Sequence, residues 1–359
     1  MKIAIILGTR PEIIKMSPII RECERKGLDY FVLHTGQHYS HNLDRIFFEE
    51  LELPMPRYNL NVGSGSHAVE TGRMLIGIEE LLKREKPDVV LVEGDTNSVL
   101  AGALAASKLH IKVGHVEAGL RSHDRAMPEE LNRVLTDHIS DYLFAPTQKA
   151  EQNLLREGID AHSISITGNT IVDALFQSLE ISKRSSDVLS RLGLKPEQYL
   201  LITAHREENV DSPQRFKGIM SGLALVHDQL DLPIIYPIHP RAEKRVHEFG
   251  LDIPGGVEIV ATVGFLDFLQ LESSARLILT DSGGVQEESC ILGVPCVTLR
   301  ENTERPESVE VGSNVLAGTH PESIVEAVMD MLDRKRGWDN PFGDGHAGAR
   351  IISILEAAL

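Results

Sequence analysis

The sequence predicts an α/β protein built from two Rossmann-like domains that face a central cleft. Apolar runs alternate with helical patterns along the chain, which is typical of parallel sheets covered by helices on both faces. Twelve such runs are more strands than a single open sheet usually contains, so two sheets of about six strands are expected. The length of 359 residues is also sufficient for about two domains. The strand candidates are 2–7, 30–35, 88–93, 113–117, 142–145, 164–167, 199–204, 233–238, 257–262, 277–280, 295–299 and 314–317.

The border between the domains is predicted after Gly168-Asn169, where a long helical stretch leads into the polar run 183–187. The first domain then covers 1–169 and the second covers 170–345. The apolar helix 346–359 is expected to pack back on the first domain. When two such halves face each other, the carboxyl ends of both sets of strands meet at one cleft, where sheets of this kind bind ligands.

Composition argues against several classes of function. A net charge of −17 does not suit nucleic-acid binding, which needs a basic face. No apolar run of the sequence approaches the ~20 residues that span a bilayer, so no membrane partner is expected. The apolar start at 3–7 is too short for a signal peptide. The three cysteines lack metal-ligand spacing and indicate reduced thiols of a cytoplasmic protein.

The first strand leads into a turn that begins with Gly8. Thr9 and Glu12 have the spacing of a capping box, so a structural role is preferred for Glu12. Arg10 and Lys15 take no part in such a cap, and both can reach an anion above the strand end. A solvated basic face is the alternative for these two residues, and we favour anion binding.

Two motifs of the first half are weak signals for a metal or a dinucleotide. His34 and His38 lie four residues apart, but they span a strand end and a turn rather than one face of a helix, which argues against a metal. The run Gly63-Ser64-Gly65-Ser66-His67-Ala68 resembles a dinucleotide fingerprint, but it follows a polar stretch. A loop that faces a phosphate or a sugar is preferred there over an NAD site.

Three acidic residues of the first half follow strands or begin a helix. Asp95 and Glu117 lie at the carboxyl ends of two strands. Asp95 has an alternative role as a helix N-cap, whereas Glu117 has no comparable structural role. Glu129 lies in a first helical turn, where acids are favoured by the dipole and where it can pair with Arg133. Carboxylates crowded together raise one another's pKa and suit acid–base chemistry.

In the second half, the strand 277–280 changes into a helix within Asp-Ser-Gly-Gly. The free N–H groups and the positive dipole end of such a helix suit a phosphate or diphosphate. A tight turn without a ligand is the alternative. Glu287 and Glu288 would repel a phosphate at this place, so at least one should point elsewhere, and a pair of ribose hydroxyls would suit such a carboxylate.

Other candidates of the second half follow strands or lie near the Asp-Ser-Gly-Gly turn. His205 ends a strand, and beside a diphosphate it would be held protonated and donate to it. His239 ends another strand, and both histidines have the alternative of satisfied turn residues. Arg305 is a third basic candidate for the same cleft. Phe268 can stack on a uracil or belong to the core.

Seven motifs occur together and in a fixed order, and their combination resembles the non-hydrolysing UDP-N-acetylglucosamine 2-epimerases from residue 1 to about Phe342. The resemblance implies a glycosyltransferase-B-like fold and a homodimer. It implies interconversion of UDP-N-acetylglucosamine and UDP-N-acetylmannosamine without NAD or a metal, with products that feed cell-surface polysaccharides. The motifs are Gly8-Thr9-Arg10-Pro11-Glu12, Gly94-Asp95-Thr96, Glu117-Ala118-Gly119-Leu120-Arg121, Pro128-Glu129-Glu130-x-Asn132-Arg133, His205-Arg206-x-Glu208-Asn209, Asp281-Ser282-Gly283-Gly284-x-Gln286-Glu287-Glu288 and Thr303-Glu304-Arg305-Pro306-Glu307.

The resemblance also implies a mechanism in which UDP leaves C1 while a proton leaves C2, which gives a glycal. UDP then returns as a proton reaches the other face of C2. The implied catalytic residues match Asp95, Glu117 and Glu129, together with His205, and which acid serves which face stays open. We expect Arg10, His205 and the turn Ser282–Gly284 to hold the diphosphate, and Glu288 to bind the ribose. Positions implied to bind substrate or UDP match Arg10, Lys15, His205, Phe268, Ser282, Gly283, Gly284, Glu288 and Arg305.

Bacterial members of this family are implied to have a second, activating substrate site beside the active site. Gln37 and His239 match parts of it. The run Tyr39-Ser40-His41 departs from the usual sequence after Gln37-His38, which weighs against allosteric activation here.

Three other functions fit parts of the same pattern. A retaining glycosyltransferase shares the fold and the nucleotide clamp, but it needs an acceptor channel rather than the three acids. A hydrolysing epimerase would release free N-acetylmannosamine and UDP. A non-catalytic sensor would bind a UDP-sugar without exchanging protons with solvent, and the number of candidate acids argues against it.

Overall fold

The computed structural model describes residues 1–36 and 41–359, with residues 41–44 described by their backbone only. The chain forms two compact units. Unit 1 comprises Met1–Gln177 and Phe342–Leu359, and unit 2 comprises Ser178–Pro341. The predicted α/β class is confirmed, and each of the twelve predicted strands is present with ends that agree within two residues. One strand of two residues, Tyr58–Asn59, was not predicted.

Each unit contains one parallel sheet among the described residues. The strands of unit 1 are β1 (Lys2–Leu7), β2 (Asp29–His34), β3 (Tyr58–Asn59), β4 (Val89–Glu93), β5 (Lys112–Val116), β6 (Tyr142–Ala145) and β7 (Ile164–Ile166). The strands of unit 2 are β8 (Leu200–Thr203), β9 (Ile234–Pro237), β10 (Val257–Val260), β11 (Leu277–Thr280), β12 (Cys296–Thr298) and β13 (Asn314–Leu316).

Helices connect these strands and cover both faces of each sheet, as parallel connections require. The helix α7 contains the point at which the chain passes from unit 1 to unit 2. The helices are α1 (Arg10–Lys26), α2 (His41–Glu50), α3 (His67–Glu85), α4 (Asn97–Lys108), α5 (Pro128–Ile139), α6 (Gln148–Arg156), α7 (Thr170–Ser185), α8 (Val188–Arg191), α9 (Glu207–Val210), α10 (Pro213–Leu230), α11 (Pro240–Phe249), α12 (Phe265–Ser274), α13 (Gly283–Leu292), α14 (Pro306–Glu310), α15 (Pro321–Asp333) and α16 (Ala347–Ala358).

The strand order of both sheets reverses once near the middle. In unit 1 the order is β3-β2-β1-β4-β5-β6-β7, and in unit 2 it is β10-β9-β8-β11-β12-β13. The order reverses between β1 and β4 in the first sheet and between β8 and β11 in the second. Open parallel sheets bind ligands at the carboxyl ends of such neighbouring strands, because the connecting helices diverge to opposite faces there. Each unit therefore has a preferred place for a site.

The central strands are buried on both faces, which explains their continuous apolar sequences. All residues of β4 and β11 are buried, and β1 is buried from Ile3 to Leu7. The small residues of α4 allow that helix to approach the sheet closely. At Gly102 a Cβ atom would lie 3.1 Å from the Val92 side chain, so a glycine suits this contact. The core of unit 1 thus encloses β1 and β4 up to their carboxyl ends.

The C-terminal segment returns to unit 1. The helix α16 packs on α1, and at Gly348 a Cβ atom would lie 3.0 Å from Pro18. The backbone N–H groups of Ala347 and Gly348 donate to the Asp173 carboxylate at 3.1 and 2.9 Å. The start of α16 is thereby capped by a residue of α7. In the part of the chain that the structure describes, no helix combines the length and the apolar character needed to cross a membrane.

Candidate functional site

The loop after β1 is held by the buried carboxylate of Glu12. The Glu12 half of the predicted capping box is present, since Thr9 N donates to Glu12 Oε2 at 2.9 Å. Glu12 also accepts hydrogen bonds from Gly8 N and from the hydroxyl of Thr96 in the loop after β4. Burial raises the pKa of Glu12 to about 7, although these donors oppose the shift. Glu12 thus joins two strand-end loops.

A lysine lies between two carboxyl groups at the ends of β4 and β5. Lys15 Nζ is 2.6 Å from Glu117 Oε1 and 3.2 Å from Glu93 Oε1. Asn169 Nδ2 donates to the same Glu117 oxygen at 3.0 Å. Glu93 is only 2% exposed. Burial raises its pKa well above the usual range, although the positive charge of Lys15 opposes this shift.

Glu93 is a member of this cluster that sequence reasoning missed. The signal in the sequence was an acid at the last position of an otherwise apolar strand, two residues before Asp95. A carboxyl group in that place must be buried with the strand, and burial without a partner is costly. An acid at the last position of a buried strand therefore indicates a cation nearby, and the structure identifies this cation as Lys15.

The backbone at Glu117 has an uncommon conformation. Its φ is 68°, in the left-handed region that side chains other than glycine seldom adopt. Two residues later, Gly119 has a φ of 83°, and a Cβ atom there would overlap the carbonyl oxygen of Ala150. Strained backbone of this kind persists where its surroundings fix it, and it occurs often at active sites. The turn directs Glu117 toward Lys15 on α1.

A buried cluster of charged groups holds the two strand-end loops together. The ring nitrogens of His115 lie 2.6 Å from Asp137 Oδ1 and 2.8 Å from the carbonyl oxygen of Gly94. The other Asp137 oxygen accepts from Gly119 N at 3.2 Å and pairs with Arg121 at 2.7 Å. Burial would raise the pKa of Asp137, but His115 and Arg121 lower it overall. The cluster therefore positions the loops that carry Asp95 and Glu117.

Asp95 is held by two residues of α5. Arg133 forms an ion pair with its carboxylate, and Asn132 Nδ2 donates to its backbone carbonyl at 2.8 Å. The N-cap of α4 is Thr96 rather than Asp95, so the alternative role considered for Asp95 does not apply.

Glu129 is exposed at the start of α5. Arg133 pairs with Asp95 and Glu130, so the alternative pairing of Glu129 with Arg133 is not formed.

Arg10 begins α1 and is exposed. Its guanidinium carbon lies 5.1 Å from the centre of the Phe47 ring, within the range of a cation–π contact. The side chain thus extends from the carboxyl end of β1 with its donors accessible to solvent. Gln37, which the sequence assigned to a second site, lies outside the described residues.

In unit 2, Asp281 organises the loop that follows β8. It is fully buried and accepts hydrogen bonds from His205 N at 3.0 Å, Arg206 N at 3.0 Å and Asn209 Nδ2 at 3.1 Å. Sequence reasoning included Asp281 in a motif but did not assign it a role. Its position between the neighbouring strands β8 and β11 explains why an acid is needed there, because it satisfies buried backbone donors.

The start of α13 lies directly after Asp281. Ser282 is the N-cap, and its side chain makes no capping hydrogen bond to the helix. Gly284 is exposed, and a Cβ atom at Gly283 would first meet the Glu304 carboxylate at 3.5 Å. The first N–H groups of a helix have no partner within it. This end of unit 2 therefore presents backbone donors and a positive dipole to a ligand.

The two glutamates of α13 take different positions, as the sequence required. Glu287 points to Arg305, whose Nε lies 2.9 Å from Glu287 Oε2. Glu288 lies near the fully buried Glu272 of α12, and burial raises the pKa of Glu288 to about 7. Burial also raises the pKa of Glu272 well above the usual range, with Glu288 adding to the effect. The two carboxyl groups together therefore hold a proton near neutral pH.

A cavity of about 240 Å3 opens within unit 2 at the ends of β8 and β9. Phe268 and Val285 contribute apolar surface, and His205 and His239 contribute polar groups. The two imidazole rings lie 6.0 Å apart. The sequence had assigned His205 to the diphosphate and His239 to a second site, and the structure places both in one cavity. Its lining residues are Thr203, Ala204, His205, Pro237, His239, Thr262, Val263, Phe268 and Val285.

Opposing effects act on the pKa of His205 in this cavity. Burial lowers its pKa, the Asp281 carboxylate 3.5 Å from Nδ1 raises it, and His239 and Arg206 lower it further. The net direction is downward, so His205 is mainly neutral near pH 7 in this structure. An anion beside the ring would oppose the effect of burial and favour the imidazolium.

The chain is similar to proteins of one family over almost its whole length. A family model described as UDP-N-acetylglucosamine 2-epimerase matches residues 21–356. A UDP-N-acetylglucosamine 2-epimerase of Methanocaldococcus jannaschii is 58% identical over 361 residues, and the match covers 99% of each chain. A UDP-N-acetylglucosamine 2-epimerase of Methanococcus maripaludis is 57% identical, with 99% of this chain and 98% of that protein covered.

Solved structures agree with the sequence matches. The structure of the M. jannaschii UDP-GlcNAc 2-epimerase aligns with a TM-score of 0.93 at 57% identity, covering 99% of this chain and 100% of that one. A second crystal structure of the M. jannaschii protein contains UDP-GlcNAc and UDP, and it aligns with a TM-score of 0.83 at 58% identity over the same shares of the chains. Both alignments therefore cover nearly all residues of units 1 and 2.

Proposed function

The chain belongs to the UDP-N-acetylglucosamine 2-epimerase family, and we propose that it interconverts UDP-N-acetylglucosamine and UDP-N-acetylmannosamine without releasing the free sugar. The protein is then an isomerase that changes the configuration at C2. The family assignment supports the substrate, and the M. jannaschii relative has been crystallised with UDP-GlcNAc and UDP.

The observation that carries this proposal is the cluster of Lys15, Glu93 and Glu117 at the strand ends of unit 1. Epimerisation at C2 needs a group that removes a proton and a group that returns one to the opposite face. A carboxylate paired with a lysine is ionised and can act as a base. Glu117 is paired in this way and is fixed by a constrained turn, so its position relative to α1 is well defined.

The chemistry follows from the weak acidity of the C2 proton. A carboxylate removes this proton as the bond between C1 and the UDP oxygen breaks, so that a C1–C2 double bond forms and the product is a 2-acetamidoglucal. UDP carries the departing electron pair. In the return step, UDP adds to C1 and a carboxylic acid delivers a proton to the other face of C2. We assign these roles to Asp95, Glu117 and Glu129, with the choice of face left open.

We assign the binding of UDP to unit 2. The start of α13 at Ser282, Gly283 and Gly284 supplies backbone donors for the diphosphate, and His205 supplies a further donor that becomes positively charged beside it. Glu288 is the carboxylate for the ribose hydroxyls. Phe268, His239 and the cavity of unit 2 suit the base.

Three further basic residues are assigned to the substrate. Arg10 and Lys15 lie at the carboxyl end of β1, Arg10 exposed and Lys15 beside Glu117. Arg305 follows β12 and pairs with Glu287, so its charge is held near the start of α13. Arginines such as Arg10 and Arg305 are suited to stabilise negative charge on a departing diphosphate, and Lys15 keeps Glu117 ionised.

We also propose a cytoplasmic homodimer whose product supplies cell-surface polysaccharides. The family resemblance supports these points, and exposed apolar side chains at the N-cap of α5 and within this helix support the dimer. Met127, Leu131 and Leu135 are 38%, 42% and 52% exposed at intervals of four residues, and apolar stripes of this kind are typical of protein contacts. Light scattering on the purified protein gives the mass that tests this point.

Incubation with UDP-N-acetylglucosamine alone in deuterated water tests the main proposal. The expected result is a mixture of the two UDP-sugars with deuterium at C2 of both, read by NMR and mass spectrometry. A hydrolysing epimerase would accumulate UDP and free N-acetylmannosamine. A glycosyltransferase would need an acceptor, and a sensor would leave C2 unlabelled, so either outcome would remove the epimerase proposal.

A further inference from the structure

Glu93 and Glu117 come from neighbouring strands and share one lysine. Glu93 is the last residue of β4 and is paired in register with Val116, the residue before Glu117. Lys15 Nζ lies 3.2 Å from Glu93 Oε1 and 2.6 Å from Glu117 Oε1. The two carboxyl groups also share a side-chain hydrogen bond, so each interacts with the other as well as with Lys15.

The charges around Glu93 do not balance if both carboxyl groups are ionised. Among the described residues, the titratable groups with the largest effect on Glu93 are Lys15 and Glu12 from α1 and Glu117 from the loop after β5. Among them Lys15 alone is a cation, and Glu93 is only 2% exposed. A buried carboxylate without a full counter-charge is strongly disfavoured. A proton on one carboxyl group removes this conflict.

The proton belongs on Glu93 rather than on Glu117. Glu117 has the shorter contact with Lys15 and also accepts from Asn169 Nδ2 at 3.0 Å, and donors of this kind favour the ionised form. Glu93 is the more buried group, and burial raises its pKa well above the usual range. An un-ionised Glu93 has an O–H donor to offer, and an ionised Glu117 is an acceptor beside it.

We propose that Glu93 is a positioning residue that stays un-ionised, donates a hydrogen bond to Glu117 and leaves Lys15 as the counter-ion of Glu117 alone. This inference rests on the proposed role of Glu117 as a base. The hydrogen bond fixes one oxygen of the Glu117 carboxylate, so the other is directed to the substrate. Ionisation of Glu93 at higher pH would place a second negative charge beside Lys15 and draw the ammonium group away from Glu117.

Infrared spectroscopy tests the protonation state without any reaction. The difference spectrum between the wild type and Glu93→Gln at neutral pH should contain the carbonyl stretch of an un-ionised carboxylic acid, with the isotope shift expected in deuterated water. Glu12 and Glu288 occur in both proteins and cancel in the difference. A carboxylate band in its place would overturn the proposal, whether or not the protein is an epimerase.

The pH profile of kcat tests the consequence for the reaction. Glutamine retains a donor to Glu117 and cannot ionise, so Glu93→Gln should keep kcat near neutral pH within about five-fold, and its alkaline limb should move to higher pH. Glu93→Leu removes the donor and should lower kcat about ten-fold or more, with UDP affinity unchanged. Glu22→Gln, which removes another buried acid of unit 1 that pairs with Arg25, is the matched control and should leave the profile as in the wild type.

Each outcome decides for or against the inference. A folded Glu93→Gln protein that binds UDP but has lost turnover would show that the carboxyl group itself carries the proton, which contradicts a positioning role. An alkaline limb unchanged in Glu93→Gln would also contradict it. If the wild type places no deuterium at C2, the proposed function fails, and the infrared difference still decides the protonation state of Glu93.

Discussion

At the scale of single residues, the protein contains carboxyl groups that hold the fold and others that we propose act on the substrate. Glu12 and Asp281 are buried and saturated by backbone and side-chain donors. Glu117 is paired with a lysine and set on a constrained turn. The same residue type thus serves as a structural acceptor in one place and as a candidate base in another, because Glu12 accepts from backbone and hydroxyl groups whereas Glu117 is paired with a charged lysine.

The proposed base is tested by Glu117→Gln. The variant should lose exchange at C2 by at least about a thousand-fold, because the amide cannot accept the proton, whereas UDP affinity should stay within a few-fold. Deuterium incorporation measures the first quantity and calorimetric titration the second. Turnover equal to that of the wild type would remove Glu117 from the mechanism.

The charge of His205 predicts a pH dependence of UDP binding. Its pKa is lowered mainly by burial, so the imidazole is neutral at neutral pH and must take up a proton to donate a charged hydrogen bond to the diphosphate. UDP affinity should therefore fall as pH rises through the pKa of His205 in the complex. His205→Ala should weaken binding by about 1–3 kcal/mol at the acidic end and flatten this part of the profile.

Calorimetry in two buffers of different ionisation enthalpy counts the protons taken up on UDP binding. Arg10→Ala is the companion variant, because an arginine does not titrate in this range. It should weaken UDP binding while the pH dependence persists. Equal affinity of both variants and the wild type would show that the diphosphate binds elsewhere.

The sequence indicated candidate residues for the site better than it indicated the partners of these residues. Motifs located Asp95, Glu117 and the start of α13, since acids and glycines at strand ends are typical of ligand sites in open parallel sheets. The hydrogen-bond and ion-pair partners of these residues could not be predicted, because tertiary packing determines them. Arg133 pairs with Asp95 rather than with Glu129, and Glu93 was overlooked because a residue inside a buried strand looks like part of the core.

At the scale of helices and strands, hydrophobic patterning was sufficient for the central sheets. Strands such as β4 and β11 are continuous apolar runs bounded by polar turns, and this pattern is clear in sequence. The strand β3 has two residues and pairs only at the edge of its sheet. Two residues are too few to establish an alternating pattern, so no sequence argument predicts it.

The turn between β5 and α5 predicts a large effect at Gly119. Alanine there would require a φ of 83° and would overlap the carbonyl of Ala150, so Gly119→Ala should lower the free energy of unfolding by about 3 kcal/mol or more. Gly72→Ala is the matched control, because a Cβ atom at this position of α3 meets nothing within 4 Å. It should stabilise by about 1 kcal/mol.

Urea denaturation of the two glycine variants and the wild type gives both values. If Gly119→Ala were as stable as the wild type, the turn would be able to relax, and the defined position of Glu117 would not depend on it. The test therefore bears on the proposed site as well as on stability.

At the scale of the whole molecule, the buried acids of unit 1 predict how stability changes with pH. The pKa of Glu12 is about 7 in the folded protein, against an ordinary value of 4.5. The folded state therefore binds more protons between these values, and the contribution of Glu12 is present below about pH 4.5 and lost as pH rises through 7. The loss amounts to about 3 kcal/mol at most.

The substitution Glu12→Gln should remove the contribution of Glu12 to the pH dependence of the unfolding free energy. The unfolding free energies of the wild type and the variant are measured in urea at several values from pH 5 to 8. As pH rises, the unfolding free energy of the wild type should fall relative to that of the variant. A constant difference over this range would mean that Glu12 is ionised in the folded protein.

The order of residues in unit 1 has a consequence for how the polypeptide matures on the ribosome. The start of α16 is capped by Asp173, and the helix packs closely on Pro18 of α1. Residues 178–341 of unit 2 must nevertheless emerge before it. At translation rates of about 5–20 residues per second, this leaves α1 partly uncovered for roughly ten to thirty seconds. Unit 2 has all its residues in one segment and can finish folding in that interval, while unit 1 waits for its last helix.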